Sequence, residues 1–162
     1  MLTQEQLKEC LNYDPDTGIF VWLKSVGTVR VGSVAGTLAK GYIKIGLAGK
    51  LYRAHRLVFL YVTGEFPTEQ VDHINCVRND NRWGNLRQAT RNQNMHNQGK
   101  QITNTSGFKG VYRIKNNKKW RAQIWYMNRQ IYLGSFTTPE AAHQAYIAAA
   151  EKLHGNFANI GK

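Results

Sequence analysis

Residues 71–97 read VDHINCVRNDNRWGNLRQATRNQNMHN, a segment in which Asn, Arg, Asp and His greatly outnumber large apolar side chains. Its main apolar residues are Ile74, Trp83, Leu86 and Met95. Hydrophobic packing alone cannot hold such a segment, so its buried polar side chains must satisfy one another's hydrogen bonds. A bound cation would help them to do so.

Three elements are predicted within this segment. QVDHIN and NLRQAT favour two strands, and a long turn, CVRNDNRWG, joins them. TRNQNMHNQG is typical of a helix, because Thr90 and Gln93 have the spacing of a capping box. Strict strand alternation would send Asp72 and His73 to opposite faces, so we expect this pair at the end of its strand.

The order of the polar residues is the most specific feature of the segment. It runs from Asp72-His73 through NRWGNL to Asn94 in RNQNMHN, with eleven residues between His73 and Asn85 and eight between Asn85 and Asn94. This pattern resembles the HNH endonucleases, particularly the phage-type homing nucleases. The resemblance implies a small ββα-metal unit, a nuclease core over residues 70–100 or so, that hydrolyses phosphodiester bonds.

The resemblance also implies roles for individual residues. His73 is the general base and Asn85 orients it, while Asp72 and Asn94 bind one divalent metal ion, with His96 as an alternative to Asn94. A neutral imidazole, with a pKa of about 6.5, can take a proton from the attacking water. Carboxylate and amide oxygens favour Mg²⁺, with Mn²⁺ as a second choice, over zinc.

Basic residues around this pattern are candidates for DNA phosphate contacts. AHRLV, at 54–58, resembles the segment that precedes the site in relatives; His55 is interpreted as structural, and Arg56 as a further candidate for phosphate contact. Cys76 stands where the family places glycine. The alternative for any one arginine is an ion pair with Asp80 or a solvated charge. The arginines predicted to contact DNA are Arg78, Arg82, Arg87 and Arg91.

The residues before this segment predict a β-rich N-terminal extension. LTQEQLKECLN favours a helix that begins with a capping box of Thr3 and Gln6, and YDPDTG favours a turn. IFVWL, VGSVAGTL and GYIKIGLAGKLYRAH favour short strands, and RLVFLYVTG favours a helix that ends at Gly64. We therefore predict an HNH domain over residues 1–97.

A second domain is predicted at residues 107–162, after a polar linker at 98–106. FKGVYRIKN, KWRAQIWYMN and RQIYLGSFT favour three strands, and TPEAAHQAYIAAAEKLHG favours a helix with Thr138 as its N-cap. The expected unit is a three-stranded antiparallel sheet packed on one helix. GFKGVYRIKNNKKWRAQI, IYLGSFTTPEAAHQAY and LHGNFAN resemble the APETALA/ethylene-response type of DNA-binding domain, which lays such a sheet in the major groove.

Alternation along the predicted strands places cationic and aromatic side chains on the open face of this sheet. Such side chains contact phosphates, stack on sugars and reach base edges. Several base-contacting positions of the plant family differ here, so its sequence preference does not transfer. The residues predicted to contact DNA are Lys109, Arg113, Arg121, Gln123, Trp125 and Tyr132.

Composition narrows the class of partner. The chain has 22 Lys and Arg against 10 Asp and Glu, a net charge of +12, which indicates a polyanionic partner. Residues 98–162 are the more cationic part, with 10 basic and 2 acidic residues. No apolar run has the length of a membrane span, the N-terminus lacks a signal-peptide pattern, and no disulfide is expected between Cys10 and Cys76.

The sequence therefore predicts an α+β protein that hydrolyses phosphodiester bonds in double-stranded DNA, nicking the duplex with the help of one divalent metal ion. The expected location is the cytoplasm of a bacterial or phage-infected host cell, and the expected state is a monomer with neither a membrane partner nor a small-molecule substrate. Two alternatives stay open. One is a catalytically inactive DNA-binding regulator, and the other is an RNA-binding protein.

Overall fold

A computed structural model describes residues 2–25, 27–115 and 117–161 of the chain. Their contacts divide the chain into two compact units, one up to Ala89 and one from Thr90 onward. Helices and antiparallel sheets occur in both, so the predicted α+β class is confirmed. The predicted boundaries, with an HNH domain that ends at residue 97 and a linker at 98–106, lie later in the chain than this division. They stay a prediction.

The first unit begins with the predicted helix and turn. Both hydrogen bonds of the capping box between Thr3 and Gln6 are present. The helix leads into a hairpin whose turn is closed by a hydrogen bond of 2.8 Å from the Gly18 N–H to the Asp14 carbonyl. The elements are α1 (Gln4–Cys10), β1 (Leu11–Asp14) and β2 (Ile19–Trp22).

A three-stranded antiparallel sheet and a helix follow. Only the end of the predicted strand VGSVAGTL is a strand, because Gly32 and Gly36 have φ angles of 81° and 100°, outside the extended region. The next helix ends, as predicted, at Gly64 in the left-handed conformation. The elements are β3 (Thr37–Ala39), β4 (Tyr42–Leu47), β5 (Lys50–Arg53) and α2 (Ala54–Thr63).

The first unit closes with an antiparallel pair, β6 (Gln70–His73) and β7 (Leu86–Ala89), joined by a long loop with a 3₁₀ turn at Trp83–Asn85. Its hydrophobic core lies between α1, the β1–β2 hairpin, β4 and α2. The largest fully buried side chains of this core are Leu7, Leu11, Phe20, Ile45, Leu57 and Val58.

The second unit begins with the predicted capped helix and continues with the predicted sheet and long helix. The elements are α3 (Arg91–His96), β8 (Val111–Arg113), β9 (Trp120–Tyr126), β10 (Arg129–Phe136) and α4 (Pro139–His154). Gly110 lies so close to α4 that a Cβ there would be 2.1 Å from the Tyr146 ring. The sheet order is β10-β9-β8, and α4 packs on all three strands around Val111, Ala122, Ile124, Ala142 and Ala150.

Residues 98–106, all of which the structure describes, form turns and bends without a helix or strand. Three of their side chains, among them that of Lys100, are bonded to the residues that follow. The Asn104 amide donates to the Phe108 carbonyl at 2.8 Å, and the Ser106 hydroxyl donates to the Val111 carbonyl at 2.8 Å. None of the helices in the described residues has the length and apolarity of a membrane span.

Candidate active site and sheet interface

Asp72 and His73 are the last two residues of β6, and both are buried, at 4% and 5% exposure. The strand register places Asp72 opposite Arg87 on β7. Consequently the Asp72 Oδ2 accepts hydrogen bonds of 2.8 Å from both Nε and Nη2 of Arg87. Arg87 was predicted to contact phosphate, but in the structure its guanidinium holds the carboxylate next to His73.

The imidazole of His73 is held in a neutral state by its surroundings. Burial lowers the pKa of His73, and the nearby Arg78 guanidinium acts in the same direction, whereas Asn81, Asp72 and Asp80 oppose them. Nε2 lies 3.4 Å from the Asn81 side-chain oxygen. This contact favours the tautomer protonated at Nε2, with the lone pair on Nδ1, and that form can accept a proton.

The amide oxygen 3.4 Å from His73 Nε2 belongs to Asn81, whereas Asn85, which was predicted to orient the base, bonds to the loop. Asn85 Oδ1 accepts from the Asn75 N–H at 3.0 Å, and its Nδ2 donates to the Asp80 carbonyl at 2.8 Å. Both partners lie in the β6–β7 loop, so Asn85 braces the loop that presents Asn81. A direct role for Asn85 toward His73 stays a prediction.

Asn81 is only 2% exposed, and the N-terminal hairpin holds it there. The Tyr13 hydroxyl donates to the Asn81 carbonyl at 2.7 Å, and the Trp83 N–H donates to the Pro15 carbonyl at 3.0 Å. Burial raises the pKa of Tyr13, which keeps its hydroxyl protonated as a donor. A Cβ at Gly18 would lie 2.4 Å from the Arg82 nitrogen, so only glycine permits this approach.

Two aromatic rings form a wall beside His73. The His55 ring meets it edge to face at a centroid distance of 5.1 Å, and the Tyr42 ring lies at 6.1 Å. Burial lowers the pKa of His55 to about 3, with smaller contributions from His73, Arg53 and Arg56. Buried and neutral, His55 has the structural character predicted for it, although the sequence did not indicate its contact with the candidate base.

The other arginines of the predicted phosphate set differ in their partners. Arg82 forms an ion pair of 2.6 Å with Asp80, and this lowers the pKa of that carboxyl to about 2. Arg56, the further candidate, donates to the Pro67 carbonyl at 3.0 Å and so supports the loop after α2. Arg78 and Arg91 are exposed, and their phosphate contacts stay predictions.

The helix that carries Asn94 belongs to the second unit. Thr90 and Gln93 form both hydrogen bonds of the predicted capping box, and Asn94 is half-buried. The His96 ring, the alternative metal ligand, stacks on the His154 ring at 3.7 Å with an interplanar angle of 5°. His96 is thus packed within the second unit, and the choice between Asn94 and His96 as a metal ligand stays a prediction.

The open face of the β8–β9–β10 sheet carries most of the predicted contact residues. Arg121, Gln123 and Trp125 alternate with buried residues along β9, and Tyr132 on β10 pairs with Gln123. The Arg121 guanidinium lies 5.8 Å from the Tyr132 ring centroid. Trp125 and Tyr132 are 60% and 59% exposed, and the Tyr132 hydroxyl lies 2.7 Å from the Ser135 hydroxyl.

Two predicted contact residues in this unit have structural partners. Arg113 is exposed, and its guanidinium lies 5.8 Å from the Trp120 ring centroid. Lys109 differs from the prediction more strongly, because its ammonium donates to the carbonyls of His96, at 2.9 Å, and Gln98. A cation at the last carbonyls of a helix stabilises that helix end, so Lys109 serves α3.

Comparison with known proteins agrees with this geometry. Residues 52–96 match a family model described as HNH endonuclease, and residues 106–156 match the AP2 domain. We refer to residues 52–96 as the HNH segment and to residues 106–156 as the AP2 domain, after the family models that they match. Both resemblances inferred from the sequence are confirmed.

Individual relatives match parts of the chain. An uncharacterized HNH endonuclease of Acanthamoeba polyphaga mimivirus is 34% identical over 116 residues, which cover 70% of this chain and 59% of that protein. The AP2-like ethylene-responsive transcription factor TOE2 of Arabidopsis thaliana is 39% identical over 56 residues, 35% of this chain and 12% of the plant protein. The chain therefore spans only part of the length of these relatives.

A solved structure of DNA binding and cleavage by the HNH homing endonuclease I-HmuI also matches. The match covers 90% of this chain and 85% of the solved chain, at 23% identity and a TM-score of 0.43.

The donor set of the HNH segment suits a hard divalent cation. Asp72 supplies a carboxylate that is buried and fixed, and the segment is otherwise rich in amide oxygens. Within the described residues, no three His, Cys, Asp or Glu side chains gather in the manner of a zinc site. An ion with one carboxylate ligand keeps positions for water and phosphate, as Mg²⁺ does in phosphoryl-transfer sites.

Proposed function

We propose that this protein is a metal-dependent endonuclease that hydrolyses phosphodiester bonds of duplex DNA. The observation that carries the proposal is the buried, neutral imidazole of His73 beside the buried carboxylate of Asp72, at the end of β6 in an HNH segment. A general base must be neutral at the working pH and fixed in orientation, and His73 has both properties. The AP2 domain supports DNA as the substrate.

In this proposal His73 takes the proton of the attacking water, and Asn81 holds the imidazole in the tautomer that can accept it. Asp72 and Asn94 would hold one divalent ion, Mg²⁺ or Mn²⁺, which supplies charge stabilisation at the phosphate and the leaving oxygen. Arg87 keeps the Asp72 carboxylate oriented. Asn85 and the loop that it braces keep Asn81 in place.

The open face of the AP2 sheet would bind the duplex. Its exposed Arg121, Trp125 and Tyr132 offer a cation for phosphates and flat rings for sugars and bases. One HNH segment per chain supports cutting of one strand, that is, nicking. A homing-type role in the cytoplasm of a bacterial or phage-infected cell completes the proposal.

The proposal is tested by incubating supercoiled plasmid with the wild-type protein in Mg²⁺, in Mn²⁺ and in EDTA. Nicking converts the supercoiled form to open circles, and we expect this with either metal and not with EDTA. Binding without cleavage of any DNA in any metal would favour a catalytically inactive regulator. Preferential binding of RNA in competition with duplex DNA would favour an RNA-binding protein.

A further inference from the structure

Tyr42, the first residue of β4, carries two guanidinium groups on its ring. The Arg53 Cζ lies 4.7 Å from the ring centroid and the Arg78 Cζ lies 5.3 Å from it. Arg53 reaches the ring because it pairs with Lys44 on β4, which makes Tyr42 its diagonal neighbour on the same face of the sheet. Arg78 reaches it from the β6–β7 loop, where its side chain passes close to Gly41.

This cluster adjoins the candidate base. The Tyr42 ring centroid lies 6.1 Å from that of His73 and 5.4 Å from that of His55. Cation–π contact restricts where a long, flexible arginine can point. Tyr42 therefore fixes two positive charges, from two separate elements, beside the imidazole that the proposed reaction uses.

Among residues 2–25, 27–115 and 117–161, neither guanidinium forms an ion pair with a carboxylate. The ion pairs found there join Lys24 to Glu9, Arg82 to Asp80 and Arg87 to Asp72. Arg53 and Arg78 are both exposed. Two like charges held at one ring repel each other, and an anion that binds both removes this cost.

We propose that Arg53 and Arg78, held on the Tyr42 ring, form a binding site for a backbone phosphate of the DNA strand that enters the HNH segment. A guanidinium presents parallel N–H donors that match two phosphate oxygens, which a lysine ammonium does not do. Since a phosphate carries no base identity, the site positions the strand next to His73 and does not read its sequence. This inference rests on the proposed function, because it takes DNA as the substrate.

The test measures binding of full-length protein to a short duplex by fluorescence anisotropy, in EDTA, over a series of salt concentrations. The variants are Arg53→Gln, Arg78→Gln and the double variant. Each lost phosphate contact should lower the slope of log K against log salt by about 0.9 and weaken binding to unrelated duplexes equally. Arg53→Lys keeps the charge and should keep most of the slope.

Lys8→Gln is the matched control, because the Lys8 ammonium lies 5.1 Å from the Tyr61 ring centroid and thus also combines a cation with a tyrosine. We expect it to leave the slope unchanged. Arg53→Gln and Arg78→Gln variants that are folded by circular dichroism and match Lys8→Gln in slope and affinity would overturn the phosphate site.

Binding in EDTA also separates this inference from the nuclease proposal. If the wild type does not cleave DNA but the arginine variants show a smaller slope of log K against log salt, the phosphate site stands and the nuclease proposal fails. If the wild type cleaves and the variants bind and cleave as it does, the phosphate site fails and the nuclease proposal stands.

Discussion

The chemistry expected of His73 depends on groups that it does not itself carry. Burial lowers the pKa of the ring, the Asn81 side-chain oxygen lies 3.4 Å from its Nε2, and the rings of His55 and Tyr42 pack beside it. Asn81 in turn depends on Tyr13, 68 residues earlier in the chain. Replacement of any of these neighbours would therefore change the reactivity of His73 without touching its side chain.

His55 makes the stability of the protein sensitive to acid. Its pKa falls from 6.5 to about 3 on folding, so the unfolded chain binds more protons between these pH values. The stability linked to neutral His55 is complete above pH 6.5 and is lost as the pH falls toward 3. From pH 7 to pH 5 we expect a loss of about 2 kcal/mol from this residue.

Urea unfolding of the wild type and His55→Phe at pH 7 and pH 5 measures this effect. The phenyl ring fills the site without a titrating group, so the variant should lose about 2 kcal/mol less over this interval. An equal loss in both proteins would show that folding does not lower the pKa of His55.

At the scale of elements, the turn between β1 and β2 serves as a support for the β6–β7 loop. Gly18 lies against the backbone of Asn81 and Arg82, and Pro15 accepts a hydrogen bond from Trp83. The hairpin thus has a function in the site although it carries none of the predicted catalytic residues.

Gly18→Ala tests this support. The new Cβ would lie 2.4 Å from the Arg82 nitrogen and 2.5 Å from the Asn81 carbonyl carbon, so the loop must move. We expect a loss of stability greater than the roughly 1–2 kcal/mol cost of a left-handed alanine alone, and reduced cleavage at saturating DNA.

Gly32→Ala is the control for Gly18→Ala. Gly32 has a φ of 81°, close to the 74° of Gly18, but apart from its two chain neighbours no described residue has a heavy atom within 4 Å of the point that an alanine methyl group would occupy there. Gly32→Ala therefore has the free-energy cost of a left-handed alanine without a steric clash of the new methyl group. Equal effects of the two substitutions on stability and cleavage would contradict the role assigned to the turn.

Elements with strong local signals could be predicted from the sequence. The capping boxes at Thr3 and Thr90 and the stop at Gly64 marked their helices, because these hydrogen bonds and this backbone geometry are local. The position of Asp72 and His73 at the end of their strand was also predictable. Asn81 and the wall of His55 and Tyr42 were not, since those contacts join residues distant in sequence and leave no periodic pattern.

The conformation of the β6–β7 loop could not be predicted from the sequence either, except at one position. Cys76, which stands where the family has glycine, adopts a φ of 63°, the left-handed region that glycine favours. The position where the family has glycine thus keeps the left-handed backbone in this chain, although cysteine is less suited to it.

At the scale of the whole molecule, the helix that carries Asn94 is held by the unit that contains the AP2 domain. Lys109 donates to the His96 carbonyl, Asn159 donates to the Asn97 carbonyl at 2.8 Å, and the His154 ring stacks on His96. A six-residue helix is unstable alone, so these contacts determine whether α3 forms. The prediction of an independent domain ending at residue 97 did not include them.

Deletion of residues 107–162 should therefore remove more than DNA affinity. The truncated chain loses the partners of α3, so we expect cleavage to fall even at DNA concentrations that saturate the fragment. Asn159→Ala in the full chain is a milder version that should lower the cleavage rate more than the affinity. A fragment that cleaves at the full-length rate when saturated would show that residues 1–106 hold α3 by themselves.

The most direct test of the account compares nicking of supercoiled plasmid by the wild type and His73→Ala in Mg²⁺, at DNA concentrations that saturate both. Loss of a general base costs roughly 10²–10⁴ in rate, and binding measured in EDTA should stay close to that of the wild type. A rate that falls by this factor with retained binding is the predicted result. Nicking by His73→Ala at the wild-type rate would contradict the assignment of His73 as the base.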